Sequence, residues 1–303
     1  MNKLSLITAI LSSFIGFNAN AYQTEVNGSY EHTEIEEGKI NTVTVSGQYY
    51  FNPVETRNAP LAEAAFLDKA SNLGLGYAYA KQSGQMGFSE NELFWNSPAI
   101  TANYKQEFNI IGLNGEFYIP DSQFYISGSL NKTDVKNTAE VFGYSESEST
   151  DGTGYSVEAG FLPINGLLLA VGITDLSESV DPTQVTKHGF ITTLANAAVV
   201  TGEDEDTAVS LRAKYVSEIG GYYTNFEAQT YIGDETTYRL GADLYLDPTL
   251  SIGLSFADST ADDSDSIFNI RAQKFITSQF ALGVGYTTVE DVDSYGINGT
   301  FRF

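Results

Sequence analysis

Ser294-Tyr295-Gly296-Ile297-Asn298-Gly299-Thr300-Phe301-Arg302-Phe303 ends the chain on a strict alternation. Tyr295, Ile297, Gly299, Phe301 and Phe303 fall on one face. Gly296, Asn298, Thr300 and Arg302 fall on the other. A period of two marks a strand. A strand with one wholly apolar face, ending on an aromatic residue, has no obvious use in a water-soluble domain. In a membrane β-barrel the same strand closes the sheet, its apolar side toward lipid and its polar side toward the lumen.

The alternation recurs in the stretches before it. Phe280, Leu282, Val284 and Tyr286 form one apolar row, and Phe268, Ile270 and Ala272 oppose Asn269, Arg271 and Gln273. Tyr238, Leu240, Ala242 and Leu244 oppose Arg239, Gly241, Asp243 and Tyr245. Val209, Leu211 and Ala213 oppose Ser210, Arg212 and Lys214. At the other end, Tyr22, Thr24, Val26, Gly28 and Tyr30 share an expected outward face, followed by Asn41 to Phe51 as the second arm of a hairpin. The fold class expected is all-β, a transmembrane antiparallel up-and-down barrel of about 14 strands, at about 20 residues per strand and connection. A polar stretch after Gln82, to about Ala102, reads as a loop, and twelve or 16 strands fit the same spacing, because Gln82 to Phe108 and Lys187 to Val200 could each hide or lose a hairpin.

The connections alternate in kind. Pro120-Asp121-Ser122, Pro163 to Gly166, Gly220-Gly221, Asp247-Pro248-Thr249 and Thr277 to Gln279 are short turns. Between them lie longer loops, among them an acidic loop over Thr133 to Gly154 and the longest over Ser177 to Asp206. Barrels keep short turns in the periplasm and long loops outside, which puts both termini on the periplasmic side. Tyr49, Phe51, Tyr118, Phe124, Tyr215, Tyr222, Phe280 and Phe303 then make an inner aromatic girdle. Tyr30, Tyr155, Tyr238, Phe256, Phe268, Tyr286 and Tyr295 make an outer one. Asn52 to Asn72 breaks the pattern. Its Pro60 to Ala70 stretch has helix formers and Asn58 as a cap, and reads as one or two helical turns at the barrel mouth or as a plain connection.

Residues 1–21 have the make-up of a secretory signal: Lys3, an apolar run from Leu4 to Phe17, and Ala19-Asn20-Ala21 as the cleavage site. The barrel domain is expected over 22–303. No later stretch reaches the ~18 apolar residues of a membrane helix. The chain has no cysteine, hence no disulfide or thiolate chemistry. Its formal charge of −24 excludes a nucleic-acid footprint.

These residues resemble a Gram-negative outer-membrane porin. The resemblance rests on the signal-like leader, the alternating strands and the terminal Tyr295 to Phe303 strand. It implies a water-filled channel for passive diffusion of small hydrophilic solutes and ions in the cell outer membrane. It also implies contact with outer-membrane lipids and lipopolysaccharide, and insertion by the barrel assembly machinery, which reads a last strand ending in an aromatic; Phe301 and Phe303 match that ending. The glycine usual five places before the end is Asn298 here. A homo-oligomer is compatible with the pattern, and no cofactor is implied.

Within such a barrel the inward candidates are Glu158, Arg212, Lys214, Glu227, Arg239, Asp243, Arg271 and Arg302. Arg212, Lys214, Arg239, Arg271 and Arg302 all lie in the C-terminal half, so one basic wall setting ion selectivity is one expectation. Mutual pairing with lumen carboxylates is the other. Phe190, Leu194 and Val199 stand in a loop segment too apolar to be free, and read as a constriction, an extra hairpin or a subunit contact. The acidic clusters lack the spacing of an ordered calcium loop and read as a solvated outer surface. A lipid- or peptide-hydrolysing barrel would need a base, for which only His32 and His188 are available, and neither has a neighbouring motif. A structural or adhesive surface barrel, and a soluble all-β binding module, are further alternatives.

Overall fold

A computed structural model describes residues 21–36, 38–88, 100–175, 207–261, 264–290 and 292–303. Fourteen antiparallel strands form a closed barrel in which each strand pairs with its neighbours in sequence. They are β1 (Ala21–Ile35), β2 (Gly38–Glu55), β3 (Asn72–Phe88), β4 (Ile100–Tyr118), β5 (Phe124–Val141), β6 (Tyr144–Ile164), β7 (Leu167–Asp175), β8 (Thr207–Ile219), β9 (Tyr222–Ile232), β10 (Thr236–Asp247), β11 (Leu250–Ser259), β12 (Ile267–Thr277), β13 (Phe280–Val289) and β14 (Val292–Arg302).

The last strand closes the sheet. β14 pairs with β1 in unbroken register from Glu25↔Arg302 to Glu34↔Asp293. Phe303 adds three further contacts: its amide donates to the Thr24 carbonyl, and its own carbonyl accepts from the amides of Gln23 and Thr24. Closure matters because an unpaired backbone group in hydrocarbon costs several kcal/mol, so a barrel with a free edge does not survive in a bilayer.

Burial is inverted relative to a soluble protein. Val284 and Ile297 are 57% and 60% exposed, whereas Thr44 and Thr300 are 1% and 4% exposed. Apolar side chains thus face out and polar ones in, as the alternation predicts. The outer aromatic belt is continuous where Tyr238, Phe256 and Phe268 touch, and again where Tyr286 meets Tyr295. At the other end Phe51 stacks on Phe117, and Phe124 meets Phe161.

Four expectations are corrected. Tyr22 faces in, not out: a register shift between Tyr22 and Thr24 flips the side-chain face, as any one-residue slip must. Tyr118 also faces in, against Tyr125. Residues 133–154 are not a loop but the outer half of the β5–β6 hairpin, paired from Thr133↔Gly152 to Val141↔Tyr144 and closed by Phe142 and Gly143. Above the membrane both faces are wet, so pairing there leaves no apolar alternation to read. For the same reason β3 and β4 extend through Gln82↔Gln106 to Phe88↔Ile100, where a loop was expected. The barrel is therefore lopsided: β1 to β6 have 15 to 21 residues, and β7 to β14 have 9 to 13.

The turn glycines fit their turns. Gly220 and Gly221 both have positive φ, 63° and 89°, as a two-residue hairpin between right-twisted strands requires. The link from β2 to β3 is different. It folds into the barrel mouth as a 3-10 turn, Leu61–Glu63, followed by helix α1, Ala64–Leu67. The residue preceding that turn is Pro60, and no side chain caps it, so the cap expected at Asn58 is not made.

Candidate functional site

Among the described residues, the strap of residues 56–71 joins each of three apolar clusters inside the barrel, at the end with the short turns. Ala64 and Ala70 pack with Tyr22, Tyr50 and Val54. Leu61 packs with Phe275 and Ala281, and Phe66 packs on Tyr125, Leu162 and Leu168. The Leu61 amide donates to the Pro248 carbonyl at 2.8 Å, tying the strap to the β10–β11 turn on the far wall.

Glu63 projects from this floor into the charged lumen. Its carboxylate is 2.8 Å from Lys214 Nζ and accepts a 2.6 Å hydrogen bond from the Tyr245 hydroxyl. Lys214 also reaches Glu227 at 2.8 Å, so one ammonium bridges strap and wall. The same ammonium stands 5.0 Å from the centre of the Phe66 ring. Arg212 pairs with Glu158 at 3.2 Å and donates to the Tyr125 hydroxyl, which in turn donates to Glu116.

Arg271 on β12 and Asp243 on β10 make a fork, Nε to Oδ1 at 2.9 Å and a terminal nitrogen to Oδ2 at 2.8 Å. They meet across β11 at Gly253, where a Cβ would sit 2.1 Å from Asp243 Oδ1. Arg302 lies at the β1–β14 seam. It is bonded to Glu25 at 2.6 Å and to the Leu61 carbonyl at 2.8 Å, and its guanidinium stands 4.5 Å from the Tyr22 ring and 4.6 Å from that of Phe275.

The structure thus brings Glu158, Arg212, Lys214, Glu227, Arg239, Asp243 and Arg271 together on one wall and places Arg302 at the floor. The wall is not uniformly basic. Arg212, Lys214, Arg271 and Arg302 each meet a carboxylate, because unpaired charge in a poorly hydrated interior is costly. Space between these groups is small: three lumen cavities measure about 50, 20 and 80 Å³. A cavity of some 10–15 Å³ admits one water, so each holds a few at most.

Phe190, Leu194 and Val199 lie outside the described residues, as do Ala19 and His188. Ala21 opens β1. Phe301 and Phe303 sit ring to ring at 5.8 Å. His32 faces outward beside Tyr30, both bonded to Asn41 Oδ1. Among the described residues no group of three potential metal ligands clusters. Sequence reasoning missed Glu63, Glu25, Tyr125 and Tyr245. The alternation does place Tyr245 inward, but nothing local tells that it will meet a strap residue 182 positions away.

One family model, described as "putative general bacterial porin", matches residues 1–303. Among solved structures, the Acinetobacter baumannii outer membrane protein Omp33 is 29% identical with a TM-score of 0.64, covering 94% of this chain and 99% of its own. A TodX mutant, a monoaromatic hydrocarbon channel, is 8% identical with a TM-score of 0.54, covering 100% and 95%, and shares the fold. No curated protein sequence matches the chain.

Proposed function

The chain belongs to the general bacterial porins and is an outer-membrane channel for small solutes; from that premise we propose that charge at the strap floor and its facing wall sets which solutes pass. The carrying observation is the inverted barrel, apolar outside and lined within by paired charges. Small hydrophilic solutes cross by passive diffusion, sieved where Glu63, Lys214 and Arg302 hold the strap across the lumen. Glu158, Arg212, Lys214, Glu227, Arg239, Asp243, Arg271 and Arg302 are the pore-lining set of this reading.

The rest of the reading follows from the same premise. Residues 1–21 are a leader cleaved after Ala21. Short turns and both termini face the periplasm. Phe301 and Phe303 are read by the barrel assembly machinery, and the outer surface meets lipid and lipopolysaccharide. Assembly into a homo-oligomer belongs to this reading too. Channel activity rather than catalysis belongs to the same reading. Conductance of the purified full chain in planar bilayers tests the proposal. Discrete channels whose size rises in Glu63→Ala support it; silent bilayers with both proteins overturn it.

A further inference from the structure

We infer that Arg239, with the Nε–H of Arg212 beside it, forms a lumen subsite for the carboxylate group of a small anionic solute. The inference rests on the channel reading above and adds the chemical class that the lumen holds back.

Arg212, Arg239 and Arg271 line one cavity of about 20 Å³ together with Asn225, Glu227 and Asp243. The carboxylates of that cavity are already committed. Asp243 accepts both bonds of the Arg271 fork and a third from Asn225. Glu227 accepts from Lys214 and from Asn225. The donors are not all committed. Among the described residues, Arg239 makes no hydrogen bond and no ion pair. The Arg212 Nε atom is buried and without a partner, although one terminal nitrogen of the same guanidinium meets both Glu158 and the Tyr125 hydroxyl. Asn225 Oδ1 is the orphan acceptor on the same wall, and takes a water or a solute hydroxyl.

The balance of this cavity is therefore an excess of charged donors. A guanidinium carries five N–H groups in a planar fork that matches a carboxylate in two-point contact. Electrostatic attraction is stronger in a narrow, poorly hydrated lumen than in open water. The cavity admits one or two waters, so only the end of a solute and not the whole of it can enter. Position fits as well. Arg239 is four residues along β10 from Asp243, toward the end that carries Thr236 and the long connections. At ~3.3 Å per residue that is roughly 13 Å. An anion entering from that end reaches Arg239 before it reaches the Arg271–Asp243 fork and the strap.

The test is calorimetric titration of the detergent-purified full chain with sodium succinate at low salt, with inorganic phosphate titrated separately. The wild type is expected to bind succinate, and Arg239→Gln to weaken it about tenfold or more. Lys132→Gln, which removes an exposed cation on the outer hairpin, is expected to leave binding unchanged. Equal binding by Arg239→Gln and wild type, or no binding by the wild type at about 10 mM succinate, overturns the inference. Phosphate bound as tightly as succinate and lost in the same variant makes the site one for anions at large and overturns the carboxylate assignment. Where Arg239→Gln lacks heat-modifiable gel mobility, Arg239→Lys replaces it. That variant keeps the charge but loses the fork, and unchanged succinate affinity in it overturns the two-point contact. Bilayer recordings separate the two readings: succinate binding with silent bilayers removes the channel reading and keeps the subsite, whereas open channels without binding do the reverse.

Discussion

Arg271 grips Asp243 with two hydrogen bonds, of 2.9 and 2.8 Å, from two strands away, and the strand between them presents Gly253 at the crossing. The pair exists because the middle position has no side chain. Replacing Gly253 with Val puts carbon where the carboxylate lies and splits the fork. Two partly buried charges then lose each other, a cost of about 3–5 kcal/mol. The temperature at which the folded band converts on a semi-native gel should fall in Gly253→Val. The double variant Asp243→Leu/Arg271→Met should recover more of that loss than Asp243→Leu alone, because it leaves no orphan charge.

Glu63 is the strap's only ionic link to the lumen wall among the described residues. Glu63→Ala leaves Lys214 with Glu227 alone and the Tyr245 hydroxyl without its acceptor. The loss expected is about 1–3 kcal/mol, drawn from local rather than global stability because the strand ladders are untouched. Single-channel conductance and uptake of a polar antibiotic by whole cells should both rise, and equal values for variant and wild type would count against the strap as the floor of the pore.

Arg302 ties three things at the seam: Glu25 on β1, the Leu61 carbonyl on the strap, and the rings of Tyr22 and Phe275. Arg302→Lys keeps the charge but not the planar group that stacks and forks. Less folded protein should reach the outer membrane, and the folded fraction should melt earlier. Arg302→Ala should do worse on both counts, since Glu25 then loses its cation. A lysine variant indistinguishable from wild type would show that charge alone holds the seam.

The outer half of the β5–β6 hairpin stands clear of the lumen charges. Removing residues 136–149 and joining Val135 to Thr150, which are partners, with Asn-Gly should leave the heat-modifiable shift and the channel conductance unchanged, because the deleted pairs are solvated on both faces. A barrel destabilised by this deletion would mean the hairpin carries contacts that its exposed side chains do not indicate.

How much of this was legible beforehand differs by region. Val209 to Phe303 was readable strand by strand, since lipid demands apolar residues at every second position and the lumen tolerates polar ones. Tyr22 was misplaced because a bulge shifts the face without changing composition. The Thr133 to Gly154 stretch reads as a loop because its paired residues are polar on both sides. Glu158, Arg212, Lys214, Glu227, Arg239, Asp243, Arg271 and Arg302 could be named as inward from alternation alone. Which carboxylate meets which cation could not, since that depends on register between strands and on the strap.

The sequence by itself determined the solvent for each face, and with it the closed barrel, the inverted burial and the two aromatic belts. These follow from a local rule: in hydrocarbon every backbone group must be paired and every outward side chain apolar. Only the tertiary structure decided that Glu63 would cross the lumen to Lys214, that Gly253 would make room for a fork, and that Arg239 would be left with donors to spare. Those outcomes join positions far apart in the chain, and their energies come from excluding water between specific side chains, which no local pattern of residues records.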